Sequence, residues 1–140
     1  MQLLENEFGH PLNISKIYQT AAWGQNNQPD FLNMAAIFNC NKVPSEVLII
    51  VKKIEELVGR KQRQHWHERE IDIDIIFYGN NIIDLPNLII PHALMQERRF
   101  VLVPLNEICP EYIHPVFNKN VSQLLMECQD NLKVEEWRQQ

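Results

Sequence analysis

The chain has 140 residues, 45% hydrophobic and 22% charged, with a formal net charge of −5. That length suits one domain, residues 1–140, with a real core, and the composition is ordinary for a soluble globular protein. The acidic balance argues against a nucleic-acid binder, and no run of about 18 apolar residues marks a membrane span.

The opening residues Met1, Leu3, Leu4 and Phe8 have helical spacing, ended by Gly9 and Pro11. No secretory leader is visible there. Asn13 to Gln19 reads as a strand, Thr20 to Asp30 as a loop, and Phe31 to Cys40 as a second strand. Pro44 starts a helix whose stripe is Val47, Leu48, Val51, Ile54 and Val58, with Gly59 as its stop. Arg60 to Arg69 reads as a polar loop, Ile71–Phe77 as a strand, and Tyr78 to Asn81 as a turn. Ile82-Ile83 reads as a short returning strand, and Leu88 to Ile90 as an apolar run closed by Pro91-His92. One or two helical turns are expected over Ala93 to Arg99. Short helices follow over Phe100 to Ile108 and Val121 to Glu127. The cysteines Cys40, Cys109 and Cys128 show neither zinc spacing nor a disulfide framework. They read as free thiols in a reducing compartment, so a cytoplasmic protein is expected.

The segment Arg69 to Phe77 carries the most information. Ile71, Ile73 and Ile75 alternate with Glu70, Asp72 and Asp74, a period of two. On a strand, Asp72 and Asp74 would emerge on one face, with Cα atoms about 6.5–7 Å apart. Like charges so close repel, and one Mg²⁺ or a pair of them would relieve the cost. The plainer reading is a strand with one wet face. The neighbours Arg60, Arg63, Arg69, His92, Arg98 and Arg99 favour the metal reading. Carboxylates for a metal beside cations for phosphate suit phosphoryl transfer.

Trp66, among the arginines and histidines of the Arg60–Arg69 loop, could stack on a flat ring or close the loop on the core. The loop is otherwise a mobile phosphate clamp or a solvated connection. His65, His67, His92 and His114 read as hydrogen-bonding or surface residues rather than transition-metal ligands. Phe31 and Asn33 lie two apart on a strand and so share a face. With Phe100 they could read the edge of a flat heterocycle, or simply serve the core.

Together these stretches resemble the 6-hydroxymethyl-7,8-dihydropterin pyrophosphokinases of folate biosynthesis. The matching pieces are Tyr18 to Gly24, Gln28 to Asn33, Ile54-Glu55, and Gly59-Arg60. They continue with Trp66-x-x-Arg69-x-x-Asp72-Ile73-Asp74-Ile75, Pro91-His92, Arg98-x-Phe100 and Pro104-Leu105. The resemblance implies an α+β fold, a ferredoxin-like antiparallel sandwich with flanking helices. It implies pyrophosphate transfer from ATP to the hydroxymethyl oxygen of the pterin, releasing AMP. Asp72 and Asp74 match the holders of two Mg²⁺ ions. Arg69 and Arg60 match catalytic positions. Glu55, Trp66, Arg69, Ile75, His92 and Arg98 match nucleotide-binding positions. Phe31 and Phe100 match the rings that sandwich the pterin, while Asn33 and the backbone of Thr20, Ala21 and Trp23 match its edge recognition.

Departures accompany the match. Family members begin with a strand and a glycine loop before the first helix, whereas this chain opens inside that helix. An open sheet edge is therefore expected, with low stability, association through that edge, or a swapped segment filling it. His67 replaces a small residue, and the loop before Trp66 is one residue short, leaving open whether Lys61 or Arg63 clamps phosphate. The rival expectation is a non-catalytic binding or interaction module on the same scaffold.

Overall fold

The computed structural model describes residues 1–21, 30–64 and 71–139, with residues 60–64 by backbone only. They mix helices with antiparallel sheets, an α+β organisation. Two compact units are formed: Met1–Pro11 with Phe38–His92, and Leu12–Ile37 with Ala93–Gln140.

The first unit holds helices α1 (Gln2–Phe8) and α2 (Pro44–Gln64) and a hairpin. Gly9 closes α1 at φ 82°, a conformation open to glycine, and its N–H donates to the Glu5 carbonyl. The two helices pack together, and Phe8 meets Phe38 with ring centroids 5.8 Å apart. Val47, Val51 and Ile54 bury one face of α2, as the stripe predicts. Gly59 does not stop the helix, which runs on to Gln64. A mid-helix glycine costs only about 1 kcal/mol against Ala, and the following Arg-Lys-Gln-Arg-Gln run consists of good helix formers. Arg60 to Gln64 is therefore helical rather than loop. Later in this unit, β5 (Ile83–Leu85) and β6 (Leu88–Ile90) pair across Pro86-Asn87, with Leu88 and Ile90 buried.

The second unit holds the strands that matter most for a site. The two long strands expected over Asn13–Gln19 and Phe31–Cys40 are each broken. β1 (Asn13–Ile14) pairs with β4 (Ala36–Ile37), while β2 (Tyr18–Thr20) pairs with β3 (Phe31–Asn33). Side chains cause the break. Ser15 Oγ accepts the Ala35 N–H at 2.9 Å, and a carboxylate of Glu107 accepts the Lys16 N–H. A C-terminal strand not anticipated from the sequence, β7 (Val134–Glu136), pairs with the free side of β2. The sheet order is β3-β2-β7.

Helix α3 (Arg99–Ile108) packs on all three of these strands and on α4 (Val121–Glu127). Leu102, Leu105, Met95, Val121 and Leu124 make the core there. Pro104 lies inside α3 and removes the N–H that would bond the Phe100 carbonyl. The first turn of α3 is held from outside: Asp130 Oδ2 accepts the Arg99 N–H at 3.0 Å. α4 opens with a capping box between Asn120 and Gln123. Before it, His114 is 3% exposed and stacks on Phe117, centroids 4.4 Å apart. Its Nδ1 accepts the N–H groups of Val116 and Phe117 at 3.1 and 3.2 Å.

That geometry requires Nδ1 of His114 to carry no proton, and burial pushes its pKa down from 6.5. Folding therefore favours the neutral imidazole. The stability it contributes is fully present above about pH 6.5 and is lost as pH falls toward the depressed folded value. In urea titrations, the stability advantage of wild type over His114→Asn should shrink as pH drops below about 6.5. An advantage independent of pH would contradict the assignment.

Candidate active site

The acidic segment lies in the first unit. No strand is assigned over 71–78, which corrects the expectation for Ile71–Phe77. Its backbone bonds go elsewhere: Ile73 N–H donates to Glu55 Oε2 at 2.9 Å, and the Ile76 carbonyl accepts the His92 N–H at 3.0 Å. A ladder needs repeated bonds to one neighbour, and none of the described residues runs beside this segment as a strand. The alternation survives in exposure. Asp72 and Asp74 are exposed, while Ile73 and Ile75 are half-buried; Ile71 is exposed as well. Among the described residues no hydrogen bond or ion pair engages either Asp side chain.

Glu55 is the anchor of this segment. It projects from α2, keeps only 15% of its side chain exposed, and is bonded by Lys52 Nζ at 3.2 Å on its other oxygen. Its reach to Ile73 fixes the peptide between the two aspartates. Tyr78 Oη, five residues after Ile73, donates to the Lys42 carbonyl and ties down the end of the segment.

The second unit holds the other set. In the β2–β3 ladder Thr20 faces Phe31 and Tyr18 faces Asn33, so these four side chains share one side of the sheet. Phe31 is 56% exposed. Thr20 is 4% exposed, and its buried Oγ1 has no hydrogen-bond partner among the described residues. Ala21 is exposed. Phe100 lies in the first turn of α3, and the Arg98 guanidinium sits 5.8 Å from its ring centroid, a cation–π contact. Trp23, Trp66 and Arg69 lie outside the described residues, as do His65 and His67; the side chain of Arg60 does too.

Sequence reasoning missed Glu107. Its Oε1 accepts the Tyr18 hydroxyl at 2.6 Å, and its two oxygens accept the Lys16 N–H at 3.1 and 3.2 Å. The available signal was spacing: Glu107 lies seven residues after Phe100, hence on the same helix face. A cavity of about 360 Å³ lined by Gln96, Phe117, Lys119, Leu124 and Glu127 contains none of the anticipated residues. Among the described residues no three His, Cys, Asp or Glu side chains converge as a metal cage. None of the described helices is long and apolar enough to cross a membrane.

A family model for 7,8-dihydro-6-hydroxymethylpterin-pyrophosphokinase matches residues 1–110. The chain belongs to this pyrophosphokinase family. It is 43% identical over 106 residues to the 2-amino-4-hydroxy-6-hydroxymethyldihydropteridine pyrophosphokinase of Aquifex aeolicus, covering 76% of this chain and 66% of that protein. The same-named protein of Synechocystis is 39% identical over 111 residues, 79% of this chain and 56% of its own. That of Bacillus subtilis is 40% identical over 98 residues, 70% of this chain and 59% of its own. The chain therefore spans less than two thirds of the length of these relatives. All eight pieces of the family resemblance, from Tyr18 to Leu105, fall within the matched residues.

The Tyr18–Glu107 bond has a measurable signature. The bond to Glu107, then burial and the nearby negative charge of Glu107 and Glu136, push the Tyr18 pKa from 10.0 up to about 12. A raised folded value means the contribution to stability is fully present below about pH 10 and lost as pH rises through about 12. Ultraviolet titration should show a tyrosine ionising near 12 that disappears in Tyr18→Phe and moves toward 10 in Glu107→Ala. Three tyrosines titrating identically in wild type and Glu107→Ala would refute the bond.

Proposed function

We propose that this chain carries the chemistry of its family: Mg²⁺-dependent transfer of pyrophosphate from ATP to the hydroxymethyl group of 6-hydroxymethyl-7,8-dihydropterin. The observation that carries the reading is the exposed Asp72 and Asp74, engaged by no described cation, with the N–H of the intervening Ile73 held by Glu55. Two unpaired carboxylates are hard oxygen donors of the kind Mg²⁺ takes, so they fit as the holders of two ions. When bound, Mg²⁺ neutralises phosphate charge and draws donor and acceptor together.

The other roles follow from the family resemblance. Arg69, His92 and Arg98 bind nucleotide phosphates, Arg60 acts with Arg69 in catalysis, Ile75 lines the adenine pocket, and Trp66 closes its loop over the bound substrates. Glu55 serves the nucleotide side by fixing the Asp72–Ile73 peptide. Phe31 and Phe100 stack on the pterin, with Asn33 and the backbone of Thr20, Ala21 and Trp23 on its edge. The hydroxymethyl oxygen attacks the β-phosphorus of ATP. The bond from that phosphorus to the α–β bridging oxygen breaks, AMP leaves with the oxygen, and the hydroxyl proton is lost to solvent. We assign the fold to the ferredoxin-like class as one domain on the same family grounds. The three free cysteines suit a reducing cytoplasm.

Release of AMP from ATP, with and without the dihydropterin, tests the reading. Asp72→Ala and Asp74→Ala should each lower pterin-dependent AMP release by orders of magnitude, because the metals lose ligands. Their thermal stability should hold or rise as like-charge repulsion falls. Wild-type turnover in Asp72→Ala would remove the metal role. Pterin binding by wild type without AMP release would favour a binding module over an enzyme.

Asn33 gives a separate check on the pterin. Truncating it to Ala removes a donor and an acceptor from the heterocycle edge, and affinity for a pterin analogue should fall about tenfold. Unchanged affinity would leave Asn33 a purely structural residue.

A further inference from the structure

Phe100 and the pair Phe31–Asn33 sit on different elements of one unit, α3 and β3. A flat ring held between two others depends on their spacing. A gap of about 0.5–1 Å already forfeits roughly a quarter to a half of a carbon–carbon dispersion well. Among the described residues, Glu107 makes a polar tie between the face of α3 bearing Phe100 and the face of the sheet bearing Phe31 and Asn33. Glu107 lies two turns beyond Phe100 on the same side of α3, roughly 10.5 Å along the axis. Its carboxylate takes the hydroxyl of Tyr18, the register partner of Asn33, and the N–H of Lys16 two residues before it. The 2.6 Å contact is a charge-assisted bond, of the stronger kind.

We infer that Glu107 is a positioning residue for the pterin: its bonds to Tyr18 and Lys16 set the spacing between Phe100 and the Phe31–Asn33 strand. The inference rests on the proposed assignment of that set to the pterin. Glu107 itself touches no substrate. It acts through Tyr18, which stands beside Asn33 on the shared face, and through the backbone that enters β2.

The test is calorimetric titration of 6-hydroxymethylpterin and, separately, of Mg-ATP into the full chain. The variants are Glu107→Ala, Glu107→Gln, Tyr18→Phe and the double Glu107→Ala/Tyr18→Phe. Glu107→Ala and Tyr18→Phe should each weaken pterin binding about tenfold and leave ATP affinity within about twofold. The double variant should lose no more than the single ones, because one tie is removed twice. Glu107→Gln should fall between, since its amide oxygen still accepts the Tyr18 hydroxyl. Amide exchange at Gln19 and Leu32, measured without ligand, should quicken in Glu107→Ala. Wild-type pterin affinity in Glu107→Ala overturns the inference. So does an equal loss of pterin and ATP affinity, which would make Glu107 a general stabiliser. If Glu107→Ala does not fold, Glu107→Gln and Tyr18→Phe decide by the same criteria. A wild-type chain that binds no pterin overturns the proposed function instead, and the positioning claim with it. The exchange data would then report only whether Glu107 ties α3 to the sheet.

Discussion

A backbone N–H taken from water must find an acceptor, and leaving it without one costs about 1–3 kcal/mol. Outside the ladders of this protein, carboxylates accept backbone N–H groups, that of Lys16 at an exposed site. Glu55 takes the Ile73 N–H, Glu107 takes that of Lys16, and Asp130 takes that of Arg99. Each bond lies beside a residue of the candidate site: the aspartates, the β2–β3 ladder, and Arg98 with Phe100. Irregular backbone is thereby held by side chains from a distant part of the chain. Bonds to charged groups are worth about 1.5–3 kcal/mol, more than a neutral pair. The acidic residues of this chain thus do structural service before any ligand arrives.

Local pattern was the legible part. Helix α4 begins and ends where its apolar spacing places it, and the stripe of α2 is buried at Val47, Val51 and Ile54. Such patterns depend on residues three and four apart, so a single sequence contains them. The breaks in the first two strands depend instead on Ser15 reaching Ala35 and on Glu107 reaching Lys16 across 91 residues. β7 was missed for a related reason. Val134-Glu135-Glu136 is too short to signal a strand, and its pairing with Tyr18–Thr20 comes from far along the chain. The run past Gly59 is a different kind of miss, in which one unfavourable residue was outweighed by five favourable ones.

The candidate site was legible as residue types and only partly as arrangement. Asp72 and Asp74 are exposed as the alternation predicts, yet the segment makes no ladder, so a period of two can persist in exposure without a strand. Phe31 and Asn33 share a face because their register partners, Thr20 and Tyr18, are two apart as well. The family resemblance makes Arg98 a nucleotide ligand, and its guanidinium also lies over the ring of Phe100. A cation over a ring and a cation on a phosphate are compatible uses of one planar group.

The family match ends at residue 110, but the scaffold of the second unit does not. Asp130 secures the first turn of α3, where Phe100 sits, and β7 covers the edge of β2 opposite Phe31 and Asn33. α4 adds Val121 and Leu124 to the core under α3. β7 occupies that side of β2 and is itself an outer strand of the described sheet. Residues after 110 therefore set the position of side chains whose identity lies before it. Selection on that later stretch would act on where an apolar, pairing or capping residue falls rather than on a recognisable motif. A strand held by backbone bonds tolerates many side chains, provided it does not place proline where β2 needs a donor.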